Sequence, residues 1–185
     1  MIKTLVTPLL VFCTIFVLVP CDVFAAYELG DTVEDFTLLD LDGNPVSLYD
    51  FQGEVILLNF FATWCPPCND EALILEENFW LEYGDEGFTV LAVDLLEQAW
   101  VVEEWVNGLG LTYPTVLSPD WSIFTRFPDA GGIPYNALID QNMVLRLSHY
   151  GFDEEEMREQ VEELLEFSPV SVESGSLDGV KAVYR

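Results

Sequence analysis

The pentapeptide Trp64-Cys65-Pro66-Pro67-Cys68 constrains this chain more than any other feature. Two cysteines separated by two residues can close and reopen a disulfide with little backbone movement, which is the chemistry of thiol–disulfide exchange. The setting matters as much as the spacing. Val55-Ile56-Leu57-Leu58-Asn59-Phe60-Phe61 reads as a buried strand, and Cys68 to Tyr83 as a helix stopped by Gly84. Cys65 then falls where a strand feeds a helix N-terminus, and there unpaired N–H groups and the helix dipole favour a thiolate. The same position exposes Cys65 and puts Cys68 inside the first turn, so Cys65 is the expected reactive thiol.

Other uses of the pair fit less well. A zinc site wants four ligands, and beyond the pair the chain offers only His149, Cys13 and Cys21. A c-type haem site needs His directly after the second cysteine, where Asn69 stands. A structural disulfide across so short a loop constrains the unfolded chain little. Redox work remains, with no metal or cofactor required. His149, near a strand end, reads as a surface residue.

The N-terminus points to export. Lys3 precedes an apolar run from Leu5 to Val19, Pro20 breaks it, and Val23-Phe24-Ala25 offers a cleavage site. Residues 1–25 therefore read as a signal peptide or a membrane anchor. Leu18-Val19-Pro20-Cys21 looks like a lipoprotein site, except that Pro20 replaces the usual small residue. Cleavage after Ala25 leaves Cys65 and Cys68 as the remaining cysteines, with no disulfide scaffold to maintain. The expected location is periplasmic, or the outer face of a bacterial cytoplasmic membrane. The net charge of −27 argues against nucleic acid and anionic membrane surfaces as partners. Asp70 and Glu71, one turn past Cys68, should oppose a thiolate on Cys65 and favour a reducing pair.

Strand and helix alternate along the rest of the chain. Phe36 to Leu41 reads as a strand leading to an Asp42-Gly43-Asn44-Pro45 turn, with a short return at Val46-Ser47-Leu48. Phe88 to Val93 is an apolar strand, Trp100 to Leu109 a helix closed by Gly110, and Thr115-Val116-Leu117 a short extended piece. Trp121 to Phe127 reads as a short helix. Tyr135 to Asp140 and Val144 to Ser148 form a hairpin, and Asp153 caps a last helix running to Phe167, with Glu156 at the capping-box position. Such an order gives an α/β fold, a mixed sheet with helices on both faces. The expected domain spans 26–167, and 168–185 lose periodicity and read as a flexible tail.

Several segments together resemble a known family. They are Asp35-Phe36-Thr37-Leu38, Leu41-Asp42-Gly43-Asn44-Pro45-Val46-Ser47-Leu48, the stretch from Leu58 to Cys68, and Gly132-Ile133-Pro134. From about Gly30 to Phe167 the chain resembles the thioredoxin superfamily, and more narrowly the TlpA/ResA-like family of exported bacterial thioredoxins. The resemblance implies a thioredoxin-like fold, its central mixed sheet carrying an inserted strand–helix unit at Phe88–Gly110. It implies a Cys65 nucleophile and a cis Ile133–Pro134 peptide facing the disulfide. Trp64, Pro66, Pro67, Ile133 and Pro134 become the expected substrate-binding residues. Ordinary thioredoxins place a buried aspartate where Asn59 stands. The resemblance instead assigns Glu97, after the inserted strand, to take the Cys68 proton. The chain departs from the family at Tyr135 and Asn136, which replace small residues and should alter the substrate groove, and at Leu73, which replaces a helix proline.

The expected function is thus an exported thiol–disulfide oxidoreductase acting mainly as a reductase, fed by a membrane thiol-reducing donor. The resemblance implies disulfide-containing exported proteins as partners, including apocytochrome c or copper-delivery proteins, and a place in cytochrome c maturation. One alternative is a peroxiredoxin-like thiol peroxidase, although Ala62 and Leu58 occupy the places where its Thr or Ser and its proline would stand. The other is a non-catalytic copper-binding thioredoxin-like module.

Overall fold

A computed structural model describes residues 26–166. The leader at 1–25, the last residue of the expected domain and the tail at 168–185 lie outside the described residues. Among the described residues no helix is long and apolar enough to cross a membrane.

Seven strands form one sheet in the order β2-β1-β5-β4-β3-β6-β7. They are β1 Thr37–Asp40, β2 Pro45–Ser47, β3 Val55–Phe61, β4 Phe88–Leu95, β5 Thr115–Ser118, β6 Tyr135–Ile139 and β7 Leu145–Tyr150. β3, β4 and β5 run parallel, and antiparallel pairs close both sides. Every residue of β3 and β4 is buried, as continuous apolar runs in a parallel centre must be. β4 is the middle strand of the sheet. Phe60, which no solvent reaches, is worth about 3–5 kcal/mol against alanine at such a site.

Alternation along β3 sends side chains to two cores. Ile56, Leu58 and Phe60 join Val93, Phe124, Phe127 and Tyr135 on one face. Leu57 and Phe61 join Cys65, Cys68, Phe79, Val90, Ala92 and Met157 on the other. The helices divide unequally between these faces. α1 Pro66–Leu75, α3 Ala99–Leu109 and α4 Glu154–Glu166 all pack on the second face. Instead of a long helix, the first face is covered by the 3-10 turns Leu48–Phe51 and Phe124–Arg126. Aromatic bulk explains this, because Phe60, Phe124, Phe127 and Tyr135 contact one another edge-on or tilted and fill the space themselves.

Helix boundaries differ from expectation, α1 beginning at Pro66 and not Cys68. After α1 the chain widens into a π turn at Glu76–Trp80, tightens through α2 Leu81–Tyr83 and ends in a 3-10 turn at Gly84–Glu86. The stop is Gly87, whose φ of 88° needs glycine, while Gly84 keeps right-handed helical angles. The short helix expected from Trp121 shrinks to Phe124–Arg126. The final helix begins as expected, with the Glu156 N–H donating to Asp153 Oδ1 at 3.1 Å.

Candidate active site

β3 delivers the chain to the site and α1 receives it. Cys65 is the N-cap of α1, in an extended conformation, with Pro66 and Pro67 as the first helical residues. Proline carries no N–H, so the first helix amide free to donate is that of Cys68. It donates to Sγ of Cys65 at 3.3 Å. The sequence thus concentrates the helix-end field on one sulfur. Cys65 and Cys68 are joined as a disulfide with Cα atoms 5.3 Å apart. The expected difference in exposure is not found, because both cysteines are 3% exposed in this oxidised state. The asymmetry between them lies in the hydrogen bond.

The expected substrate-side residues do gather here. Pro66 and Pro67 are exposed. The Ile133–Pro134 peptide is cis, and the Ile133 carbonyl oxygen lies 3.8 Å from Cys65 Sγ. Trp64, 69% exposed, borders a groove of about 490 Å³ with Trp121, Phe124, Ile133 and Tyr150. Tyr150 lies over Gly132, where an added Cβ would stand 2.8 Å from the ring. Tyr135 and Asn136 do not shape this groove. Both are fully buried, Tyr135 donating its hydroxyl to the Pro128 carbonyl.

A buried acid lies on the disulfide side of the sheet, and it is Glu71. Three residues after Cys68, it shares the buried face of α1 with Cys68, Ala72 and Leu75. Glu71 Oε1 accepts hydrogen bonds from Asn59 Nδ2 and Asn136 Nδ2, each at 2.8 Å. Asn59 also donates to Asn136 Oδ1 at 3.0 Å. Glu71 Oε2 is buried with no hydrogen-bond partner. Burial raises the Glu71 pKa to about 7, against the lowering effect of the Asn136 hydrogen bond. Glu71 lines a cavity of about 270 Å³ with Pro67, Ile74 and Pro134. Sequence reasoning paired Glu71 with Asp70 as a charge opposing the Cys65 thiolate and did not foresee its burial; the i, i+3 spacing from Cys68 was the signal that could have found it.

Glu97 reaches the site by another path. Half-buried, it accepts the Thr63 N–H at 2.6 Å and the Thr63 hydroxyl at 2.7 Å, one oxygen to each. Its contact is with the loop that carries Cys65, and among its hydrogen bonds none involves a sulfur. Three residues back along its own turn, Asp94 is fully buried. His149 is half-buried, with its Nε2 out of solvent and unpartnered. Among the described residues no cluster suited to a metal ion is present.

Comparisons agree with this geometry. The Redoxin family profile matches residues 28–165. The chain is 35% identical over 117 residues to the thiol-disulfide oxidoreductase ResA of Geobacillus kaustophilus, covering 63% of this chain and 66%, just under two thirds, of that protein. It is 32% identical over 139 residues to ResA of Halalkalibacterium halodurans, covering 74% of this chain and 76% of that protein. Among solved structures, a thioredoxin-family thiol:disulfide interchange protein of Chlorobium tepidum superposes with a TM-score of 0.66 at 26% identity, covering 76% of this chain and 99% of the other. A candidate protein disulfide isomerase of Bacteroides thetaiotaomicron gives 0.68 at 31% identity, covering 76% and 90%. With the profile, the relatives and the helix-capping cysteine pair in agreement, the chain belongs to the Redoxin family and is similar there to the proteins named thiol-disulfide oxidoreductase ResA.

Proposed function

We propose that this protein is an extracytoplasmic thiol reductase, working in the periplasm or at the outer face of a bacterial cytoplasmic membrane. In its reduced form the Cys65 thiolate attacks one sulfur of a target disulfide. That bond breaks, a mixed disulfide forms on Cys65, and the second target sulfur leaves as a thiolate. Cys68 then gives its proton to Glu71 and attacks Cys65 Sγ, which releases the target fully reduced and restores the Cys65–Cys68 disulfide. Two electrons pass to the target and return from a membrane thiol-reducing donor. The observation that carries this reading is Glu71, whose unpartnered buried oxygen and pKa of about 7 suit it to hold a proton at the operating pH.

Partner chemistry follows from the surface. The Ile133 carbonyl beside Cys65 can accept from the N–H of an extended substrate strand, and the Trp64–Tyr150 groove takes an apolar side chain next to the target cysteine. A net charge of −27 favours cationic partners. Exported proteins with a strained or exposed disulfide meet these terms, and apocytochrome c and copper-delivery proteins are the proposed examples. Equilibration with glutathione tests the direction of work. A reductase gives a potential well below the roughly −120 mV of a strong oxidant such as DsbA. A value near that figure would refute the reading.

A further inference from the structure

Thr63 is the last polar residue before the Trp64-Cys65 pair, and its two hydrogen-bond donors end on a single side chain. Glu97 takes both, at 2.6 and 2.7 Å. Glu97 is itself held, because its N–H donates to Asp94 Oδ2 at 2.9 Å across a turn in which Leu96 has a positive φ of 74°. Asp94 sits opposite Phe61 in the parallel register of β3 and β4. By alternation it shares the sheet face of Val90 and Ala92, which belongs to the core containing Cys65 and Cys68. Its Oδ1 is buried without a partner. A continuous path therefore runs from Asp94 through Glu97 and Thr63 to Cys65.

We infer that Asp94 and Glu97 act as a positioning pair, latching Thr63 so that the Cys65 loop keeps its exchange geometry while Asp94 is neutral, and slackening when Asp94 ionises. A second negative charge would face the Glu97 carboxylate in a site where Asp94 is closed off from water. Repulsion at such range is weakly screened. Glu97 is the member able to yield, since it borders a cleft of about 430 Å³ with Leu38, Leu96 and Gln98. Its departure would leave both Thr63 donors without their acceptor. Burial raises the Asp94 pKa to about 7, and the neighbouring Glu97 carboxylate adds to the rise against the lowering effect of the Glu97 N–H.

The groups around Asp94 are few. β3 brings Phe61 and β5 brings Leu117, neither of them titratable. The titratable groups on this side of the sheet include Glu97 on the same turn, Glu71 on α1, the buried Glu76 after it, Tyr83, Tyr113, His149 in register with Asn136 and, once reduced, the thiols of Cys65 and Cys68. Glu71 is engaged by Asn59 and Asn136, so its titration must be separated from that of Asp94.

The inference rests on thiol exchange at Cys65, yet its first test needs no partner and no turnover. In the oxidised full-length protein the thiols cannot titrate, and the Thr63 amide shift is followed by NMR from pH 5.5 to 8.5. An inflection near neutrality is expected in the wild type and in Glu71→Gln, and its loss in Asp94→Asn. A flat Thr63 profile in the wild type would overturn the inference, as would loss of the inflection in Glu71→Gln or its survival in Asp94→Asn. The wild-type titration decides even if Asp94→Asn fails to fold. In the reduced protein, Thr63→Val should slow exchange with a small aromatic disulfide about tenfold, the scale of one charge-assisted hydrogen bond, and Thr63→Ser should restore it. Equal rates in all three proteins would also overturn the inference.

Discussion

Asn59 donates to Glu71 at 2.8 Å in the core beneath the active-site disulfide. The strand position where ordinary thioredoxins resemble one another in carrying an acid thus holds an amide, and the acid is supplied from the helix. The swap keeps one carboxyl in the buried layer and surrounds it with two amide donors in place of water. It also puts the carboxyl on the element that carries Cys68.

Glu71→Gln should slow resolution of the mixed disulfide by at least tenfold while leaving the first attack by Cys65 less affected. Glutamine keeps the acceptor that Asn59 and Asn136 use but cannot take a proton, and general-base help is worth about 10²–10⁴ in rate. Stopped-flow exchange from pH 5 to 9 would show the wild-type inflection near pH 7 shrink for the resolving step in the variant, the part set by Asp94 remaining. The Glu97→Gln protein separates the two acids, and should perturb both steps together because Glu97 acts through Thr63.

Folding stability should rise as pH falls from about 7.5 to 5. The Glu71 pKa is raised from 4.5 and the Asp94 pKa from 3.8, each to about 7. The unfolded chain gives up these protons near pH 4, whereas the folded chain keeps them until about pH 7. Between those limits the folded state binds more protons, so its advantage is complete below pH 4 and lost as pH passes 7. Unfolding free energies from urea melts should change across this range by roughly 2–3 kcal/mol for Glu71, at 1.36 kcal/mol per pKa unit, with Asp94 adding in the same direction. Glu71→Gln should flatten part of the slope, and a wild type that gains stability from pH 5 to 7.5 would contradict the burial of these groups.

Asn136→Ala should raise the Glu71 pKa further, since the hydrogen bond from Asn136 is what lowers it. Losing that donor also leaves the Asn59 amide short of an acceptor, and a buried group left unsatisfied costs about 1–3 kcal/mol. Carboxyl chemical shifts against pH, together with urea melts, would check both effects.

Gly132→Ala should weaken recognition of protein disulfides more than reaction with a small disulfide. The added Cβ would meet Tyr150 at 2.8 Å and push an exposed ring out of the groove beside Cys65. The expected signature is a higher KM for a protein substrate, with exchange against a small aromatic disulfide nearly unchanged. An unchanged KM would show that Tyr150 takes no part in binding.

Much of this was legible in the residues. Continuous apolar runs announced β3 and β4, and Cys-Pro-Pro-Cys after a strand announced the redox pair. That Ile133 and Pro134 lie beside Cys65 was implied by the family resemblance, and the cis peptide is found there. What the sequence could not display was burial of polar side chains. Glu71 and Asp70 look alike in a chain this acidic, yet one is 4% exposed and the other lies in solvent. Asn136 reads as a groove residue only until β6 is paired with β3, which turns it inward against Asn59. The stop at Gly87 was hidden because glycine at 84 and at 87 differ only in backbone angles that long-range packing selects.

Mapping of the mixed disulfide tests the central claim most directly. Reduced Cys68→Ser and Cys65→Ser proteins would each meet a peptide bearing a strained disulfide, and adducts would be located by mass spectrometry. The account predicts rapid and persistent capture on Cys65 in Cys68→Ser, because the Cys68 backbone N–H still supports that sulfur, with little capture in Cys65→Ser. Faster capture on Cys68, or no adduct on Cys65, would contradict it.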